Sequence, residues 1–271
     1  MGLSDNLKHL IDVAAPLWAG EAEVVRTYWD SPVRSHETDM VWLRRQCSKE
    51  FNGTGIGDYK NLGVFMGPVT ELSEIFPKID IGEGGVDRSY ALELIETLHD
   101  EFDHYNRFAN VYDEISGPDT PPMNPHELET WDEDVELTST RHHHNKVHGD
   151  LGVRASRFTE GGYCTLFREG MRLKGRGGVD DMIADACTKV FEDEFGHMLE
   201  GIAGLDNEGW TSEQFDLMEE LVVEQLRLRI PMRNAEFSFP LSDERVQEIY
   251  DGKIEPEVFD FAKAEQTMAT H

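Results

Sequence analysis

The chain is predicted to be all-α, on three observations. Apolar residues recur at three- and four-residue spacing through most of its 271 positions. The sequence offers no convincing set of strands. Proline- and glycine-rich stretches, "SPVR", "FNGTGIGD", "SGPDTPPMNPHE" and "KGRGG", fall between the periodic segments. At 39% hydrophobic the chain is long enough for one large core, so a single helical domain over 1–271 is expected, without solenoid repeats.

In order, Ser4 is a good N-cap for a first helix that reaches Tyr28 and is broken by "SPVR". A second helix covers 36–50 and ends before the glycines. A third spans 58–76, with Pro68 as a kink or fresh start. "PKIDIGEGGVD" reads as loop and 88–115 as a long helix. The prolines of "SGPDTPPMNPHE" exclude helix, and the acidic stretch after them reads as surface loop leading into "RHHHNKVH". Further helices are expected at 153–173, 179–204, 211–229 and 243–262, the last two separated by "PMRNAEFSFPLS".

A formal charge of −29 without a compensating basic patch disfavours nucleic acid and anionic membrane surfaces as partners. Three cysteines, Cys47, Cys164 and Cys187, without a CxxC pair, argue against a disulfide framework or a zinc ribbon. The amphipathic, acid-containing N-terminus and the lack of any long apolar run make a soluble, cytoplasmic protein the expectation.

Three histidines follow a glutamate by three residues: Glu96/His99, Glu101/His104 and Glu194/His197. Most such pairs in an acidic chain are surface contacts, and the helical face decides between them. Ser89, Asp103, Asn106 and Asn110 share the face of Glu96/His99, which is therefore solvated. Leu94, Leu98, Tyr105 and Phe108 surround Glu101/His104, and Ile183, Ala186 and Val190 align with Glu194/His197. Two pairs thus point into a core, where a carboxylate must be paired, hydrogen-bonded or bound to a cation. Buried ion pairs would satisfy that need. A shared metal would too, because i,i+3 spacing presents both side chains to one ion.

A metal cage needs carboxylates from two more helices. Glu160 shares a stripe with Cys164, Phe167 and Met171, and a hairpin turning near Arg176 brings it level with Glu194. Glu169, its rival, shares a face with Arg172 and is expected to be less buried. Glu71 aligns with Val64 and Ile75 and is the choice beside Glu101.

This set resembles the ferritin-like di-iron carboxylate oxidases and oxygenases, whose bundle carries one Glu on each of two helices and Glu-x-x-His on each of two others. The order here is Glu71, "EFDH" (Glu101, His104), Glu160, "EFGH" (Glu194, His197), with separations of 30, 59 and 34 residues between the glutamates. That rhythm is similar to the multicomponent monooxygenase hydroxylases and the aldehyde-deformylating oxygenases. It covers residues 58–204 and leaves 1–50 and 211–265 as accessory helices. The rubrerythrin cysteine module is missing. Val190 stands where arylamine N-oxygenases and heme-oxygenase-like di-iron enzymes have a histidine.

The resemblance implies a ferritin-like four-helix bundle with a dinuclear site holding two iron ions, or manganese with iron. It implies O2 as co-substrate, a small organic substrate, an external electron donor, and compatibility with a homodimer. Four carboxylates and two imidazoles suit iron or manganese better than a thiolate-seeking metal. In resembling enzymes the position of Cys164 borders the oxygen and substrate pocket, so Cys164 and Phe167 are candidate pocket residues or core packing. Tyr105 and Tyr163 are candidate redox neighbours. The competing expectations are a ferroxidase, peroxidase or metal-handling protein on the same bundle, or a non-catalytic helical binding protein. "RHHHNKVH" lacks a helical face of carboxylates, and "GTGIGDY" and "GRGGVDD" lack a strand–loop–helix setting for phosphate.

Overall fold

A computed structural model describes residues 3–52, 65–80, 87–128, 130–161 and 164–260. The elements are α1 (Asp5–Trp29), α2 (His36–Asn52), α3 (Met66–Asp80), α4 (Arg88–Ser116), α5 (Asp132–His148), α6 (Asp150–Gly161), α7 (Thr165–Met171), α8 (Gly178–Ala203), α9 (Ser212–Glu236) and α10 (Asp243–Tyr250), with short 3-10 turns. No strand occurs among the described residues, and no helix there is long and apolar enough to cross a membrane. The chain divides into two compact units, Met1–Trp42 with Thr130–His271, and Leu43–Glu129.

In the larger unit, α1 lies against α9, α7 and α10, α5, α6 and α9 pack on one another, and α8 lies against α6 and α7. Ser4 caps α1 as expected, its hydroxyl accepting from the Leu7 amide. Trp18 packs on Phe158, and Tyr28, Trp29 and Trp42 gather around Phe237. The "DEDVEL" stretch, expected as loop, opens α5: Asp132, Glu133 and Asp134 occupy its first turn, where the helix dipole favours acids. Its buried stripe is Asp134, Leu137, Arg141 and His144, a helical period written largely in polar residues and so invisible to an apolar count.

The helix expected over 153–173 is instead two, α6 and α7, and Cys164 between them has a left-handed backbone at φ 49°. α9 continues beyond its expected end through Pro231 to Glu236. A proline at 231 leaves the Arg227 carbonyl without its helical donor, and the Tyr250 hydroxyl donates to that carbonyl at 2.7 Å. α10 stops at Tyr250 rather than 262, and Gly252 takes a positive φ of 75° just beyond.

In the smaller unit, α3 packs on α4 through Leu72, Ala91 and Leu94, with Ile75 and Leu98 beside them. α3 runs on through Pro77 to Asp80, so "PKID" is helical. Asp87 caps α4, accepting from the Ser89 and Tyr90 amides, and the helix spans 29 residues. The last turns of α2 complete this unit.

Candidate metal centre

Two helices of the smaller unit supply its chemistry. On α4 the buried stripe Leu94, His104, Tyr105, Phe108, Val111 and Tyr112 sets the helical phase, and it carries His104 to 1% exposure. Glu101 precedes it by three residues and is half-buried. On α2, Leu43 and Cys47 are fully buried, and the same stripe ends on Glu50, whose side chain is 11% exposed. Glu50 Oε2 lies 3.9 Å from His104 Nδ1. One donor atom from each of Glu50, Glu101 and His104 falls within 4.8 Å of the others. Donors on one ion at about 2.1 Å stand no more than about 4.2 Å apart, so a small side-chain rotation closes this set on a cation.

Two neighbours support that fit. Gln46, one turn before Glu50, donates from Nε2 to Glu50 Oε1 at 2.5 Å, while its own Oε1 is buried without a hydrogen-bond partner. A buried acceptor left unmet costs about 1–3 kcal/mol, which a metal-bound water or another donor would offset. Cys47 is buried, and burial pushes its thiol well up, with the charges of Glu50 and Asp113 adding to the effect. The thiol is therefore neutral, which leaves a hard set of two carboxylates and an imidazole. Phe51, next to Glu50 in the chain, lies 5.3 Å from Phe65 and 5.4 Å from Tyr105, and Phe102 lies 6.0 Å from Tyr105. Burial, with the negative charge of Asp113 adding to it, pushes the Tyr105 phenol up to about 12.

Glu71 does not occupy the place expected of it. It is exposed on α3 and accepts from the Tyr90 hydroxyl. Leu72 and Ile75 fix the phase of α3 against α4, and residue 71 is turned about 100° from 72. The carboxylate beside Glu101 and His104 is Glu50. Its signal was present in the sequence: Leu43, Cys47 and Glu50 follow the same four–three spacing that marks the other inward glutamates.

The remaining expected ligands lie in the larger unit. Glu160, at the end of α6, has a side chain 24% exposed and lies 3.0 Å from Nη1 of the fully buried Arg141. That Glu160 Oε1 is buried yet makes no hydrogen bond, so it meets Arg141 as a charge off the donor's line. Glu169, expected to be the more exposed of the two, is 1% exposed and paired with Arg172 at 3.0 Å, Arg168 at 3.6 Å and Arg26 at 3.7 Å. The arginine taken as a mark of a polar face is its counter-charge.

On α8, His197 Nδ1 lies 3.1 Å from Glu194 Oε2. The imidazole, expected to face inward, is 75% exposed. Ile183 and Val190 are buried as expected, but the stripe then passes to Met198 and Ile202, one residue past the histidine. Glu160, Glu194 and His197 do not form a three-donor cluster among the described residues. Cys164 and Phe167 are half-buried. Burial pushes the Cys164 thiol up to about 12, and the negative charge of Glu194 adds to the effect. Tyr163 lies outside the described residues. The Glu96/His99 pair is exposed, as its polar face predicts.

No family model, curated protein or solved structure was found to match the chain.

Proposed function

We propose that this protein is a non-heme iron enzyme, an O2-dependent oxidase or oxygenase acting on a small organic substrate. Glu50, Glu101 and His104 form one ligand set, and Glu160, Glu194 and His197 form the second. Glu50 takes the role first expected of Glu71. The observation that carries this reading is the cluster of Glu50, Glu101 and His104, two carboxylates and an imidazole from two helices within 4.8 Å. The second set is supported by the Glu194–His197 contact at 3.1 Å, while the Glu160 Oε1 oxygen is ion-paired with Arg141 at 3.0 Å.

Bound ferrous ions would supply the electrons that activate O2, with an external donor restoring them. The chain's own residues hold and shield that chemistry. The Gln46 amide steadies Glu50 by donating to its Oε1. Phe51 and Tyr105, which follow Glu50 and His104 in the chain, pack ring against ring with Phe65. Manganese with iron would satisfy the same donors.

The three-donor cluster also favours a second reading, a single-metal site in a metal-handling protein, because the set is complete without the larger unit. Anaerobic ferrous titration followed by oxygen-electrode measurement separates the two. Two irons per chain with O2 uptake support the oxidase; one iron and no uptake support metal handling. A chain that binds no iron is a helical binding protein instead.

A further inference from the structure

The histidine run of α5 plays no part in the metal centre, yet one of its members is built into the core of the larger unit. His142 and His143 are exposed, while His144 is 3% exposed. Its Nδ1 lies 3.0 Å from Gln225 Nε2, and its Nε2 lies 3.2 Å from Glu224 Oε2. The direction of these bonds is set from their far end. Arg141, fully buried one turn earlier on α5, can only donate. Its Nε reaches Gln225 Oε1 at 3.3 Å, its Nη2 donates to Thr159 Oγ1 at 3.2 Å, and its Nη1 faces Glu160 at 3.0 Å.

Gln225 must therefore turn its carbonyl to Arg141 and its amide to His144. The reverse would set one N–H against another. Because the amide donates, His144 Nδ1 is a bare acceptor, and the single ring proton sits on Nε2 and is donated to Glu224. This tautomer leaves no free lone pair on His144, which removes it as a metal ligand.

We propose that His144 is a positioning residue for Glu160. Its bare Nδ1 fixes the Gln225 amide, the amide fixes the Arg141 guanidinium, and the guanidinium sets the carboxylate of Glu160. The assignment rests on Glu160 as a metal ligand. A proton arriving on Nδ1 would confront the Gln225 amide and break the chain at its first bond. The charged groups bearing on the ring are Glu224 from α9 and His143 and His148 from its own helix. From α6 the close approach is the uncharged Gly152, where an added Cβ would lie 2.3 Å from the His144 carbonyl oxygen. Burial lowers the imidazole pKa from its ordinary value, which favours the neutral tautomer that the relay requires.

The test uses the full chain with 15N-labelled histidine and arginine, and ferrous iron alone as the probe. Long-range 15N–1H correlation should show His144 as the Nε2–H tautomer at about pH 7, persisting below the ordinary midpoint of about 6.5. His144→Leu removes the acceptor and should weaken the iron affinity that Glu160→Gln also weakens, by about tenfold. His144→Asn places an oxygen where Nδ1 stood. It should hold that affinity within about twofold of wild type and remove only the part of its acid decline that His144 adds to protonation of the ligands themselves. If His144→Leu does not fold, His144→Gln, with its acceptor at the Nε2 position, takes its place.

An Nδ1–H tautomer, or wild-type iron affinity in His144→Leu, overturns the proposal. If Glu160→Gln binds iron as wild type does, the assignment of Glu160 as a ligand fails instead. The Arg141 Nε–H resonance then decides the relay: a shift in His144→Leu supports it, and an unmoved resonance overturns it.

Discussion

Replacing Glu21 by glutamine should cost the larger unit about 3 kcal/mol at neutral pH. Glu21 is 1% exposed on α1 and receives Arg229 Nη2 at 2.7 Å and Arg233 Nη2 at 2.9 Å. Burial raises its carboxyl pKa. The charges and hydrogen bonds of the two guanidiniums outweigh burial and bring it from 4.5 down to about 2. At about 1.4 kcal/mol per pH unit, that fall is worth about 3 kcal/mol to the ionised form. The size agrees with the roughly 3–5 kcal/mol lost when one partner of a buried pair is removed. Because the folded carboxyl titrates lower than the unfolded one, this stability is complete above 4.5 and is lost as pH falls towards about 2. Less than half of it remains at about pH 3. Urea unfolding of wild type and Glu21→Gln at neutral pH and at about pH 3 measures both quantities. A neutral-pH difference below about 1 kcal/mol, or a difference that does not shrink in acid, would refute the account of this network.

Three further outcomes are expected. Glu50→Ala should reduce ferrous affinity at least about tenfold, whereas Glu71→Ala should leave it unchanged; equilibrium dialysis with iron distinguishes them, and the reverse result would restore Glu71. Gly152→Ala should destabilise by about 1–3 kcal/mol in thermal unfolding, because its methyl would meet the His144 carbonyl at 2.3 Å and backbone cannot step aside cheaply. Tyr250→Phe should cost about 1 kcal/mol by removing the hydroxyl that donates to the Arg227 carbonyl beneath Pro231, as read from the urea midpoint.

Apolar periodicity made most of the helices legible, including α1, α4 and α8, whose ends lie near those expected. It failed where burial is polar. α5 hides its period in Asp134, Arg141 and His144, which count as surface residues in any apolar scan. The continuation of α9 through Pro231 depends on a hydroxyl from Tyr250, a long-range partner no local signal reveals. At the Glu50, Glu101 and His104 cluster, Glu101 and His104 were legible from the face they share, because Tyr105 and Phe108 mark it. Alignment with Val64 and Ile75 points to Glu71, but Leu72 is the residue that sets the phase of α3. Glu50 was within reach of the same argument, at the end of a stripe through Leu43 and Cys47. Glu169 shows the limit of inferring exposure from a neighbouring charge, since Arg172 is its partner.

The measurement that tests the central claim most directly is anomalous scattering at the iron edge from crystals grown anaerobically with ferrous iron. The account predicts an iron bound by Glu50, Glu101 and His104, and a second bound by Glu160, Glu194 and His197. Iron absent from the Glu50, Glu101 and His104 cluster, with Gln46 Oε1 still unmet, would contradict it.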